Sequence, residues 1–250
     1  MVSFMSGVVH SSTVTRLAWA FVALAGCVIA GCDAGPGDRG QESTAPQEQD
    51  WAAQVAAVRA KTSDRIEVTQ AAVGDDELQQ LAGLDSLREL LIDRGEMTSA
   101  GLAVLARLPQ LEHVRIRGAK LTDDDLRALC EIKSLQRLNV PQADFTDDGL
   151  AALAQLKHLE LLRVGSPRVT DAGIQHMSQV QTLRWLHLIE IPITDAAVRP
   201  IVQLPKLESL YLDGAKLSDA GYDQLFAARE NLHVHVDQRH HDRDPHGHSH

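Results

Sequence analysis

The chain has 250 residues, 44% of them apolar and only 4% aromatic, and it carries a formal net charge of −10. That acidic balance argues against general nucleic-acid binding, which needs a basic footprint. The three cysteines, Cys27, Cys32 and Cys130, exclude a disulfide framework within the folded part, because two of them fall in the N-terminal leader.

Arg16 precedes an apolar run from Leu17 to Gly31. A membrane-spanning helix needs about 20 residues, so this run fits the core of a signal peptide better. It ends in Ile29-Ala30-Gly31-Cys32 and also contains Leu24-Ala25-Gly26-Cys27. Both resemble the bacterial lipobox, which implies lipidation of the cysteine and a membrane anchor through the lipid. Cys32 is preferred over Cys27, because it leaves the longer apolar core and the polar stretch begins directly after it. An ordinary secretory signal or an uncleaved anchor is the alternative. In every case the chain is expected to be exported, to the cell envelope or as a secreted or periplasmic soluble protein. Residues 1–32 are thus assigned to a signal peptide.

Residues 33–50 are rich in Gly, Pro, Gln, Ser and Glu without apolar periodicity, and they are expected to form a flexible tether. Trp51, Val55 and Val58 then mark a short amphipathic helix, with Asp50 placed as its cap. A stack of repeats needs a cover at its open end, and residues 51–62 are assigned to that cover.

From residue 63 to residue 236 one pattern recurs every 24 residues. Its opening leucine falls at Leu87, Leu111, Leu135, Leu159, Leu183 and Leu207. An apolar pair follows, as in Leu90/Ile92, Val114/Ile116 and Leu138/Val140, and its spacing predicts a short strand with both side chains on one face. A Thr or Ser comes next, at Thr98, Thr122, Thr146, Thr170, Thr194 and Ser218, with Gly74 in its place in the first unit. These are N-cap residues in type, each worth about 1 kcal/mol over Ala. Apolar pairs such as Phe145/Leu150 and Leu121/Leu126 bracket them at the spacing of a hydrophobic staple. Asp123, Asp147, Asp171, Asp195 and Asp219 follow the caps, where negative charge suits a helix start. The Asp clusters at 123–125 and 147–148 are assigned to that structural use rather than to calcium. Self-similarity at such a period indicates a solenoid whose units share one continuous core.

The repeat resembles the leucine-rich repeat of the Leu-x-x-Leu-x-Leu type. Its Leu-Thr-Asp-x-Gly-Leu half is similar to repeats of bacterial envelope lipoproteins related to ribonuclease-inhibitor-like horseshoes. The resemblance implies an α/β solenoid, a right-handed superhelix with parallel strands on the concave face and helices on the convex face. One feature departs from the family. The usual Asn or Cys after the strand is replaced by Gly95, Ala119, Ala143, Pro167, Ile191 and Ala215, so the family's Asn ladder is absent.

Residues 237–250 are polar, and they are assigned to a disordered tail with five histidines: His240, His241, His246, His248 and His250.

The chain contains no phosphate-binding Gly-rich loop, no Gly-x-Ser-x-Gly and no His-Glu-x-x-His, so an enzyme is not expected. The informative residues are those that point away from the core on each strand. They place His113, Arg115, Arg117, Arg137, Asn139 and Arg163 beside Trp185, His187 and Tyr211, with Leu161 and Ile189 as apolar neighbours. Arg, Trp and Tyr are the residues most enriched at binding hot spots. A basic patch beside an aromatic patch therefore predicts a binding surface for a protein or an anionic surface polymer, and leucine-rich repeat families commonly bind on this face. A second expectation is metal binding. His233, His235 and Asp237 alternate on the last strand beside Asp213, and imidazole with carboxylate at this spacing suits zinc or nickel. Otherwise no cofactor is expected.

Overall fold

The computed structural model describes residues 50–241. The leader with Cys27 and Cys32, most of the assigned tether and the tail from residue 242 lie outside the described residues.

Each 24-residue unit contributes one strand, and the strands join in sequence order into a single sheet. They are β1 (Arg65–Val68), β2 (Glu89–Ile92), β3 (His113–Ile116), β4 (Arg137–Val140), β5 (Leu161–Gly165), β6 (Trp185–Ile189), β7 (Ser209–Asp213) and β8 (His233–Val236). All seven pairings among them are parallel, and each sets residue i beside residue i+24. Parallel neighbours need a crossover, and the second half of each unit supplies it on the other side of the core.

These crossovers are helical but not uniform. Some are α-helices, such as Asp123–Cys130, Asp171–Met177 and Asp219–Ala228. Others combine one α turn with a 3-10 turn, as Asp147–Leu150 continues into Ala151–Gln155. Between strands and helices lies one core. The opening leucines, the strand pairs of β1 to β7, Phe145, Leu150 and Leu153 are all essentially without solvent exposure, while Val236 of β8 is partly buried. Each fully buried leucine contributes about 1.5–3 kcal/mol.

Both ends of the sheet are closed. At the N-terminal end α1 (Trp51–Arg59) buries Val55 and Val58 against the core. Its Gln54 side chain works as a substitute strand: Nε2 donates to the Glu67 carbonyl at 2.9 Å, and Oε1 accepts from the Glu67 N–H at 2.7 Å. The edge of β1 is thereby partly satisfied without a neighbour. At the other end the chain reverses at Asp237 and Gln238, both with positive φ. A short antiparallel strand, β9 (Arg239–His240), returns along β8. The hydrophilic tail assigned to residues 237–250 therefore begins as an ordered hairpin. Its His241 ring lies against Tyr222 and Phe226.

The missing Asn ladder is replaced by direct backbone contact. Small residues after the strands let successive loops approach, and their main chains bond to each other: Gly95 N–H to the Arg117 carbonyl, Ala143 N–H to the Gly165 carbonyl, and Lys216 N–H to the Ile193 carbonyl. A Cβ on Gly95 would press on Ile116 and Ala119.

The aspartates that follow the caps reach further than their own helix. Each receives the backbone N–H and the hydroxyl of the cap residue in the next unit. The pairs are Asp75 with Thr98, Asp123 with Thr146, Asp147 with Thr170, Asp171 with Thr194 and Asp195 with Ser218, all at 2.5–2.8 Å. The carboxylate sits so close to the next helix that a Cβ at Gly101, Gly149, Gly173 or Gly221 would collide with it. This is why the pattern reads Thr-Asp-x-Gly. Only Ala197 departs from glycine in these units, and there the helix opens as a 3-10 turn.

Two cap residues have no aspartate in the preceding unit. Trp51 stands at that position before Gly74, and Ser99 stands before Thr122. In both, the position otherwise held by glycine carries an acid that bonds the cap N–H from within its own helix: Glu77 to Gly74 at 2.8 Å, and Asp125 to Thr122 at 2.7 Å. Every cap N–H thus meets a carboxylate, from the previous unit or from its own helix.

These alternatives generate a prediction. Asp123→Ser and Gly149→Asp each destabilise, Asp123→Ser by about 1–2 kcal/mol for the lost charge-assisted bonds. The double variant restores most of the loss, because it recreates the solution found at Ser99 and Asp125. Urea unfolding of the four proteins checks this, and additive losses would contradict it.

Candidate functional site

Three positions of each unit point away from the core, so the open face of the sheet carries three transverse rows. The middle row runs Glu67, Leu91, Arg115, Asn139, Arg163, His187, Tyr211 and His235. The row before it runs Arg65, Glu89, His113, Arg137, Leu161, Trp185, Ser209 and His233. Asp93, Arg117, Pro141, Gly165, Ile189 and Asp213 occupy the third, over β2 to β7. All nine residues assigned to partner binding thus share one surface.

The charge on that surface differs from the expectation of a basic patch. Arg115 pairs with Glu67 and Asp93, both at 3.0 Å, and Arg117 approaches Asp93 at 3.7 Å. Arg137 pairs with Glu89 at 2.8 Å. Arg65 joins Glu67 and Glu89 at the edge of the network. Burial alone would raise the Glu67 carboxyl, but bonds and charge from Arg65 and then Arg115 outweigh it and hold it below its ordinary value. Three of the four arginines are therefore neutralised within the fold.

The pairs also cover what lies between them. Glu67 and Arg115 stand two strands apart and meet across Leu91, which is only 2% exposed despite its place on the open face. In the same way Glu89 and Arg137 flank His113. Burial first, and then the charge of Arg137, push the His113 imidazole down to about 4, so it is neutral at neutral pH.

Arg163 is the exception. Among the described residues it makes no ion pair, and its Nε is buried with no hydrogen-bond partner. The Oδ1 of its register neighbour Asn139 is likewise buried without a donor. Burial, and then the nearby charge of Arg117, lower the pKa of the Arg163 guanidinium from its ordinary value. The cause lies in the placement of the acids. From β3 through β6 no outward strand position is acidic. Strand neighbours lie about 4.8 Å apart, and Asp93 is three strands from Arg163. Asp213 is two strands away, but it is bonded to His187 Nε2 at 2.8 Å.

The C-terminal half of the face is aromatic. His187, Tyr211 and His235 stack in register, with ring centroids 5.3 and 4.2 Å apart. Trp185 stands beside Leu161 and is held by the Arg184 guanidinium at 4.4 Å from its ring, while Arg184 is itself paired with Glu208. Half-buried Leu161, Trp185 and Ile189 lie on the strand of Arg163 or the next one, with Tyr211 one strand further beyond His187.

The four expected metal ligands are not brought together. Asp213 is engaged by His187, Asp237 accepts from the Gly214 N–H at 3.1 Å, and His235 stacks on Tyr211. Among the described residues no group of three or more His, Cys, Asp or Glu is placed to hold a metal ion.

Sequence reasoning placed the face but missed its neutralisation. The network also takes in Arg65 and Glu67 of the first unit, which the outward rows named from the sequence do not include. The available signal was a spacing: Glu67 to Arg115 and Glu89 to Arg137 are each 48 residues, two units apart in one row.

The contrast between the arginines can be measured. Arg163→Met leaves stability unchanged or raises it by up to about 1 kcal/mol, because a half-desolvated cation without a partner is removed. Arg115→Met lowers stability by about 1–2 kcal/mol, because it strands Glu67 and Asp93. Equal losses in urea unfolding would show that Arg163 has a partner within the fold.

No protein-family model matches the chain, and no curated protein matches it in sequence. Solved structures do resemble it. The Arabidopsis receptor kinase HAESA, in complex with the peptide hormone IDA and the co-receptor SERK1, is similar with a TM-score of 0.54 at 15% identity, over 73% of this chain and 31% of that one. Internalin C2 of Listeria monocytogenes gives a TM-score of 0.49 at 19% identity, over 73% and 83% of the two chains. A plant peptide hormone receptor in complex with RGF2 gives 0.46 at 11% identity, over 73% and 29%. This chain thus spans under a third of either plant receptor chain. The likeness is one of fold: the chain is a leucine-rich-repeat solenoid.

Proposed function

We propose that this protein is a non-enzymatic binding scaffold that captures a protein or peptide segment on the open, strand-lined face of its solenoid. One observation carries the proposal. Over β4 to β7 the face combines half-buried Leu161, Trp185, Ile189 and Tyr211 with an arginine that makes no ion pair among the described residues. The acids of this face engage Arg115, Arg117 and Arg137 but, among the described residues, not Arg163, so an unmet cation beside apolar surface fits a surface completed by a partner. HAESA holds a peptide hormone in its complex, which makes peptide capture compatible with this fold.

The scaffold is further proposed to act outside the cytoplasm, in the cell envelope, tethered by lipid on Cys32 or, alternatively, Cys27. The lipobox-like sequences before these cysteines support this. Among the described residues no helix is long and apolar enough to cross a membrane.

Two experiments test these proposals. Residues 33–250 serve as bait in an envelope extract, with and without a chelator, beside the Trp185→Ala/Tyr211→Ala/Arg163→Ala variant. A partner lost in the variant and retained with chelator is the expected result; one lost only with chelator would move function to the histidine-rich end. For the anchor, Cys32→Ala is expected to release the protein from membranes. Retention would shift the lipid to Cys27 or favour an uncleaved anchor.

A further inference from the structure

We propose that Arg163 and Asn139 form a subsite for a single acidic residue of the captured peptide. Arg163 takes the carboxylate, and Asn139 Oδ1 accepts a backbone N–H of the same segment. This rests on the proposed binding face and specifies its chemistry.

The two side chains are register neighbours on the central strands, and both hold a buried polar atom with no hydrogen-bond partner among the described residues. One is a donor and the other an acceptor. An Asp or Glu in an extended segment offers the complementary pair, a carboxylate and a backbone N–H. Guanidinium and carboxylate also match as a charge-assisted pair, stronger than a neutral hydrogen bond. The surroundings leave room for it. In the adjoining row β4 and β5 are followed or ended by Pro141 and Gly165, which place no long side chain over Arg163, and a Cβ on Gly165 would run into the Pro141 carbonyl.

The number of charges selects one carboxylate over a polyanion. A polyanion is held by several free cations, but Arg115, Arg117 and Arg137 are already engaged by Glu67, Asp93 and Glu89. The chain as a whole is acidic, at −10. Apolar Leu161, Trp185 and Ile189 adjoin Arg163, the one cation of this face left without an acid among the described residues, so the fitting partner is a mixed segment with one fixed acid rather than an acidic tract.

The test uses the full chain in detergent and a phage-displayed library of random dodecapeptides. Enriched peptides are expected to share one Asp or Glu beside an apolar or aromatic residue. In synthetic copies, replacing that acid by its amide weakens binding about 30-fold, the lower range for truncating one partner of a desolvated pair. Arg163→Gln gives the same loss against the acidic peptide and no further loss against the amide, with the fold verified by an unchanged urea midpoint. Arg163→Lys recovers part of the affinity. Peptides that lack an acid, or that bind the Arg163→Gln protein equally well, would overturn the subsite; if they still lose affinity to Trp185→Ala/Tyr211→Ala, the binding face itself stands. Insensitivity to both sets of variants, or no enrichment, would count against the face as well. Poly-L-glutamate binding more tightly than the single-acid peptides would replace the subsite with polymer capture.

Discussion

The 24-residue period, held without insertion from β1 to β8, is the constraint on which the rest of this structure depends. It sets each residue beside its counterpart in the next unit, so a feature that works once works along the whole stack. On the helical side that feature is a carboxylate passed forward to the next cap, with a glycine to receive it. The clamp joins neighbouring units through polar contacts, where the leucines join them only through non-directional packing. Where one half of the clamp is missing, at Ser99 and before Gly74, the receiving glycine position becomes Asp125 or Glu77. The requirement that survives is chemical: a cap N–H must meet an acceptor.

The same register organises the open face, with a different reach. There the charge pairs span two units, because a long arginine side chain can cross an intervening strand. Glu67, Glu89 and Asp93 near the N-terminal end draw Arg115 and Arg137 toward them. Asp213 near the other end is taken by His187. Arg163 is three strands from Asp93; Asp213 is two strands away, a span that an arginine can bridge, but that carboxylate is already held by His187. Arg163 is the residue left over, beside apolar and aromatic side chains and next to an equally unmet Asn139. Five buried side-chain atoms of this face lack a hydrogen bond among the described residues, but Asp93 Oδ1 and Arg115 Nε face each other at 3.0 Å and His113 Nδ1 lies 3.7 Å from Glu89, which leaves the Arg163 and Asn139 atoms with neither a hydrogen bond nor an ion pair.

Most of the architecture was legible in the sequence. Strand positions, cap positions and the outward rows all follow from one period and the alternation of a strand, and the fold places Leu138, Val140 and Phe145 as that pattern requires, while Thr146 stands at the cap position but gives its hydroxyl to Asp123 instead of capping its own helix. Less of the face was legible. Composition shows Arg115, Arg117, Arg137 and Arg163 as equals, because a sequence displays which side chains point outward but not which acids lie within their reach. For a related reason the sequence shows only the local half of what the aspartates after the caps do. A negative charge at a helix start explains itself locally, so its bond to the following unit escapes notice unless Thr-Asp-x-Gly and Thr-Asp-Asp-Asp are compared. The hairpin at Asp237 and Gln238 depends on two residues with positive φ, which a hydrophilic, histidine-rich tail does not announce.

The most direct measurement of this account is NMR of the arginine guanidinium groups in the free protein. Arg115 and Arg137, held by carboxylates, should show restricted rotation and protected N–H protons. Arg163 should show a freely rotating guanidinium and no hydrogen bond to another residue of the chain. Restriction of Arg163 to the same degree as Arg115 would mean that the fold satisfies it internally, and the reason for placing the binding surface at the centre of the face would be gone.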